Sequence, residues 1–178
     1  MTRRLALLAA AFAAAAPLLA GIPAAVDPAE IPNYRLIRPG LAFAGQPAPE
    51  TLKRLGDMGF RTVINLRTEQ EGAAEEGHVV RALGLEYVWV PVTSGTFSLE
   101  DVERVERVLD DPKAGPVLLH CASGNRVAAV WGVVRARDGR TPDEVEADAR
   151  AAGLHSPSMW AAVLRVLDAV PAGAGVNP

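Results

Sequence analysis

The stretch VLLHCASGNRVAAVW, residues 117–131, joins a short apolar run to the only cysteine of the chain, then a turn bearing Gly124, then a helical pattern opening on Arg126. GPVLLH (115–120) reads as a short buried strand. From Arg126 to Arg137 the residues Val130, Trp131 and Val134 recur at helical spacing. A strand, a glycine turn and a helix in this order aim successive backbone N–H groups into one concavity. The helix adds its positive end, and the whole suits an anion or a thiolate.

The same alternation repeats on both sides of this stretch. After a proline-containing lead (27–39), GLAFAGQPAPE places Leu41 and Phe43 in a first strand ending at Gly45-Gln46-Pro47. Pro49 then starts a helix with Leu52, Leu55 and Met58 on one face and Gly59 just past its end. RTVINL (61–66) is expected as a buried central strand, residues 67–76 as an acidic, mobile loop, and Val79, Val80 and Leu83 as the inward face of a helix ending at Gly84. EYVWVPV (86–92) supplies another strand. Ser98 and Asp101 frame a helix start, with Val102, Val105, Val108 and Leu109 as its apolar stripe. Thr141-Pro142 and Ser156-Pro157 open two further helices. The pattern predicts an α/β fold, a parallel-rich sheet flanked by helices on both faces. Ligands of such sheets bind beyond the carboxyl ends of strands, which selects the turn after His120.

The length, 178 residues, suits one compact domain. Arg3 and Arg4 precede an alanine-rich apolar run, Leu5 to Leu19, shorter than the ~20 residues of a spanning helix. Residues 1–25 are therefore expected to be a signal peptide, 26–170 the domain and 171–178 a loose tail. The product would be secreted or periplasmic, with no stable membrane anchor once the signal is cut. A net charge of −3 gives no long-range pull on nucleic acid or anionic lipid, so any anion site must be local. One cysteine excludes an internal disulfide and leaves a free thiol in an oxidising compartment. His78 and His155 lie far apart in the pattern, no metal-ligand spacing is present, and no glycine-rich nucleotide fingerprint occurs. No metal or cofactor is expected. Trp89, Trp131 and Trp160 fall on apolar faces and read as core.

At the turn, Cys121 would face the amides of Ala122, Ser123, Gly124, Asn125 and Arg126, the Ser123 hydroxyl and the Arg126 guanidinium, all of which favour a thiolate. Gly124 permits a positive φ or close approach of a ligand. Arg67, just beyond the central strand, either widens a positive rim or is solvated.

The motif His120-Cys121-x-x-Gly124-x-Arg126 resembles the active-site loop of cysteine-dependent protein phosphatases and of rhodanese-type sulfurtransferases. With GLAFAGQP and GFRTVINLR added, the chain from about Tyr34 to Leu167 resembles bacterial dual-specificity-phosphatase-like proteins related to the phosphatase-like domain of beta-lactamase-hydrolase-like proteins. The resemblance implies a cysteine-phosphatase-like fold and hydrolysis of a small phosphorylated substrate or phosphoprotein through a cysteinyl-phosphate on Cys121. Arg126 would clamp the phosphoryl group and His120 would support the thiolate. Three features depart from that pattern. Four residues, Ala122 to Asn125, separate cysteine from arginine where such phosphatases have five. Val127 stands where they carry serine or threonine, and Thr93 and Ser94 stand near the place of their general-acid aspartate. Glu69, Glu71 and Asp101 are the remaining candidate proton donors, with helix capping for Asp101 and solvation for the glutamates as the alternatives. Without a donor, aryl phosphates would still react and alkyl ones slowly. The four-residue spacing is that of rhodaneses, in which a Cys121 persulfide would pass a sulfane sulfur onward without a strong proton donor. A third reading keeps the loop as a non-catalytic anion-binding module.

Overall fold

The computed structural model describes residues 26–169; the expected signal peptide and tail lie outside the described residues. Five strands, β1 (Arg35–Arg38), β2 (Leu41–Ala44), β3 (Thr62–Asn65), β4 (Glu86–Trp89) and β5 (Val117–His120), form one sheet in the order β1-β2-β5-β3-β4. Only the β1–β2 pair is antiparallel. Six helices complete the described chain: α1 (Pro49–Leu52), α2 (Ala73–Ala82), α3 (Leu99–Leu109), α4 (Asn125–Arg137), α5 (Pro142–Ala151) and α6 (Pro157–Asp168).

β5 lies in the middle, its Leu119 level with Phe43 of β2 and Ile64 of β3, and its His120 level with Ala44 and Asn65. Alternate side chains of these strands leave the sheet on opposite faces, and both faces are covered. Phe43, Ile64 and Leu119 join the core shared with Val105 of α3, Val130 of α4 and Val163 of α6. Ala42, Val63 and Leu118 join a second core with Leu52, Leu55, Phe60 and Val80. The helices thus flank both faces, as the sequence pattern predicts. A strand buried on both sides reads as the continuous apolar run seen at 117–119.

Three local expectations are corrected. The lead before residue 39 contains β1, whose Arg-Leu-Ile-Arg sequence is mostly exposed. It is a short, charged edge strand, which discourages pairing with a further strand and hides the apolar alternation by which strands are recognised. The helix begun at Pro49 ends at Leu52 and continues as turns with shorter-range bonds, such as Arg54 N–H to Thr51 O at 3.0 Å. Gly56 and Asp57 are poor helix formers there, yet Leu52, Leu55 and Met58 are buried as expected.

The third correction matters most for the site. Residues 67–76 form no open loop. A 3-10 turn, Glu69–Glu71, is closed by Thr68, whose N–H and hydroxyl donate to Glu71 Oε2 at 2.8 and 3.0 Å. Gly72 then turns the chain into α2 with a left-handed φ of 82°. The inward face of α2 is Ala73, Glu76, Gly77 and Val80, while Val79 and Leu83 are each 41% exposed.

Candidate active site

β5 carries Cys121 to the carboxyl end of the sheet, where the turn reverses into α4. Gly124 caps that helix with φ 86°, a conformation that costs a side-chain-bearing residue energy. This backbone lets the Gly124 N–H donate to Cys121 Sγ at 3.1 Å. The turn is held from several sides. Gln46 N–H donates to Ala122 O at 3.0 Å, and Asn33 Nδ2 donates to Ser123 O at 3.1 Å. Asn125 Oδ1 accepts the N–H groups of His155 and Ser156 at 3.0 and 3.2 Å, tying the turn to the start of α6. Cys121 itself is fully buried. The expected ring of groups around the sulfur is narrower in fact: Gly124 supplies the amide in contact with Sγ, and Ser123 is exposed, its hydroxyl bonded to nothing among the described residues.

Arg126 reaches back across the carboxyl ends of two strands. Its Nη1 donates to Leu66 O and Val92 O, both at 3.2 Å, and to Glu71 Oε2 at 2.7 Å, and Nη2 donates to Glu71 Oε1 at 2.6 Å. A guanidinium held by a bidentate carboxylate and two carbonyls has little freedom left. Burial opposes its charge, but the Glu71 bond and the neighbouring Cys121 sulfur outweigh that and raise its pKa. The Arg126 hydrogen bond in turn holds the Glu71 carboxyl down at about 2, against the upward push of partial burial and with help from Thr68. Glu71 is therefore ionised at neutral pH. It orients Arg126 and has no proton to give.

The other two carboxylates considered as donors are not joined to this cluster. Asp101 Oδ2 accepts the N–H and hydroxyl of Ser98 at 3.0 and 2.9 Å, a capping box at the start of α3. Glu69 is exposed. In the segment after β4, the Thr93 and Thr96 hydroxyls bond each other at 3.0 Å, and Arg165 Nη2 donates to Ser94 O at 2.9 Å.

Behind the turn lies a polar network centred on Glu76, 5% exposed. Its Oε1 accepts Asn65 Nδ2 at 3.0 Å and lies 2.8 Å from His120 Nε2; its Oε2 accepts Gln46 Nε2 at 2.7 Å and Arg67 Nη1 at 3.1 Å. Neither Nδ1 nor Nε2 of His120 has a hydrogen-bond partner among the described residues, so its contact with Glu76 is a close approach without an aligned hydrogen bond. Burial pushes the Glu76 carboxyl up, yet His120, Gln46 and Arg67 together bring it below its ordinary value. Tyr87 extends the network, its hydroxyl accepting from Asn65 at 2.9 Å and donating to Ala73 O at 2.6 Å.

Arg67 thus belongs to this interior network. It is neither rim nor solvated, for it donates inward to Glu76 and to Gln46 Oε1. Sequence reasoning missed Glu76, Gln46, Asn65 and Tyr87. One signal was legible: Glu76 falls at helical spacing with Ala73, Gly77 and Val80, and a charge on a buried stripe needs partners. Among the described residues, no group of three or more His, Cys, Asp or Glu side chains is placed to hold a metal ion, and no helix is long and apolar enough to cross a membrane.

A buried cysteine at the end of a central parallel strand, a glycine turn bonded to its sulfur and an arginine clamped beside it define a protein of the cysteine-phosphatase fold. Solved structures agree. A DUF442 protein of Shewanella putrefaciens CN-32 is 26% identical with TM-score 0.64, over 80% of this chain and 95% of that one. The catalytic core of a PP-IP phosphatase from S. cerevisiae shares the fold at 13% identity and TM-score 0.57, over 74% and 84% of the two chains. This chain belongs to the family of the phosphatase-like domain of beta-lactamase hydrolase-like proteins, whose profile matches residues 33–138. A beta-lactamase hydrolase-like protein of Xylella fastidiosa is 34% identical over 119 residues, 64% of this chain and 27% of that protein. One from Agrobacterium fabrum is 30% identical over 105 residues, 56% of this chain and 24% of that protein. The match thus spans about a quarter of the length of these relatives.

Proposed function

We propose that this chain hydrolyses phosphate monoesters through a cysteinyl-phosphate on Cys121. The observation that supports it most is the fixing of Arg126 by Glu71, Leu66 O and Val92 O beside a sulfur that already accepts the Gly124 amide. A clamp organised before substrate arrives need not reorganise as charge develops on the transferring group. In this reading the amides of Ala122, Ser123, Gly124 and Asn125, with Arg126, bind the phosphoryl oxygens. The Cys121 thiolate attacks phosphorus as the bond to the leaving oxygen breaks. Water then attacks the cysteinyl-phosphate, releasing inorganic phosphate and restoring the thiolate. His120, on the protein side, supports the sulfur.

With Glu71 committed to Arg126 and Asp101 to a helix cap, the leaving oxygen departs as an anion or takes its proton from water. Aryl phosphates are the expected substrates of choice, whether small molecules or phosphoproteins. The arginine pair and apolar run at residues 3–19 support an exported, periplasmic or secreted protein.

The absence of a placed proton donor among the described residues and the four-residue spacing also favour a second reading, a sulfurtransferase. There the thiolate takes the sulfane atom of a donor such as thiosulfate, expelling sulfite, and hands it from a persulfide to cyanide or a thiol. Purified protein should hydrolyse p-nitrophenyl phosphate, and Cys121→Ser should abolish it. Unchanged turnover in that variant ends the phosphatase reading, and thiocyanate formed from thiosulfate and cyanide, without phosphatase activity, installs the second.

A further inference from the structure

The nucleophile is flanked in sequence by two residues that lead to the same buried carboxylate. On one side His120 places Nε2 2.8 Å from Glu76 Oε1. On the other, Ala122 O is held by the backbone N–H of Gln46, whose side-chain amide donates to Glu76 Oε2 at 2.7 Å. Glu76 comes from α2, Gln46 from the turn after β2 and His120 from β5. One side chain therefore ties together three segments that meet under Cys121.

A carboxylate 5% exposed is costly to bury, and an apolar side chain of similar size would fill the space without that cost. Among the described residues, the charged and titratable groups that face it are Arg67 from the segment after β3, Tyr87 from β4 and His120 from β5. Asn65 and Gln46 are neutral donors. Three of the four near contacts of Glu76 are hydrogen-bond donors, Asn65, Gln46 and Arg67, the fourth is His120 Nε2, and together they occupy both oxygens. The charge is matched to its setting, and the setting includes both neighbours of the nucleophile.

We infer that Glu76 is a positioning residue for the reaction at Cys121, fixing the depth of the nucleophile turn through His120 on one side and Gln46 with Ala122 on the other. The inference requires only that Cys121 is the nucleophile, so it holds for phosphoryl or for sulfur transfer. A displacement of the turn by a fraction of an ångström alters the approach of the sulfur to any electrophile, and such misplacements lower rates by orders of magnitude while leaving binding less affected.

The test uses the full chain and the alkylation of Cys121 by iodoacetamide, which reports the sulfur without assuming a substrate. Glu76→Gln keeps the shape but removes the charge, Glu76→Asp keeps the charge on a shorter stem, and Gln46→Leu leaves Glu76 in place but removes its link to the Gln46 side chain, together with the Arg67 bond to Gln46 Oε1. At a temperature where all are folded by circular dichroism, Glu76→Gln should alkylate roughly tenfold or more slowly than wild type, with Gln46→Leu intermediate and Glu76→Asp partly restored. Where p-nitrophenyl phosphate is turned over, the loss should fall on kcat more than on KM. Folded Glu76→Gln that melts lower but alkylates within about twofold of wild type overturns the inference and leaves a structural role. Should Glu76→Gln fail to fold, Gln46→Leu decides alone: a wild-type alkylation rate in that variant overturns it. Failure of phosphate turnover in wild type, with alkylation behaving as described, counts against the proposed reaction and not against Glu76.

Discussion

Replacing Glu71 by Gln removes the carboxylate that grips Arg126 while keeping the side chain's size, and the structure sets the size of the effect. The Glu71 carboxyl is held at about 2 against an ordinary 4.5. At ~1.4 kcal/mol for each tenfold change in proton affinity, this depression corresponds to a ceiling of about 3 kcal/mol of stabilisation of the folded state. The Glu71 side chain is 33% exposed, so solvent screening reduces the ceiling to roughly 1–2 kcal/mol. In a chain of this length that is a fall of roughly 3–6 °C in melting temperature.

The direction with pH follows from the sign of the depression. A carboxyl whose folded value lies below its unfolded one contributes fully above about 4.5, and the contribution is lost as pH falls toward about 2. Thermal melts of wild type and Glu71→Gln should therefore differ most at neutral pH, converge below about pH 4.5 and nearly coincide near pH 2. A gap that persists unchanged in acid, or no gap at neutral pH, would refute the reasoning that the ion pair holds Arg126 in place.

Three further outcomes test other parts of the site. Gly45→Ala would put a Cβ 3.0 Å from Ala122 O and 3.1 Å from Pro32 O, backbone atoms that cannot turn aside, so a loss of about 1–3 kcal/mol and slower alkylation of Cys121 are expected. A normal urea transition in that variant would contradict the close packing of the turn. Gly77→Ala would bring a Cβ to 2.7 Å from the Tyr87 ring, displacing it and breaking the bonds of its hydroxyl to Asn65 and Ala73 O; near-ultraviolet circular dichroism and a lowered melt should report this. Asp101→Asn should weaken the α3 cap by roughly 0.5 kcal/mol or less and leave kcat for p-nitrophenyl phosphate within about twofold, whereas a large loss of kcat would make Asp101 a proton donor after all.

The sheet and the location of the site were legible because the evidence for them is local. Val117 to Leu119 is apolar without alternation, and Gly124 and Arg126 sit at fixed offsets from Cys121, so strand, turn and helix follow from one stretch. β1 was not legible, since an edge strand made of Arg-Leu-Ile-Arg keeps its arginines in water and turns only Ile37 toward the core, too little alternation to detect. The role of Glu71 was hidden for a different reason. Its partner is 55 residues away, and only the closing of β3 beside β5 brings the two together. Glu76 was hidden because the inward face was assigned to Val79, Val80 and Leu83, of which only Val80 is buried while Val79 and Leu83 meet solvent, so the stripe was read partly one step round the helix. Arg67 reads as a surface residue from its place after a strand, and it turns inward only because Glu76 and Gln46 wait there to receive it.

The most direct measurement of the central claim is intact and peptide mass spectrometry of protein quenched in acid within the first turnover of p-nitrophenyl phosphate. One phosphoryl group should be found on the peptide containing Cys121, absent from Cys121→Ser and reduced in Arg126→Met. Turnover that continues with no adduct on that peptide, or with the phosphoryl group on another side chain, would contradict the account.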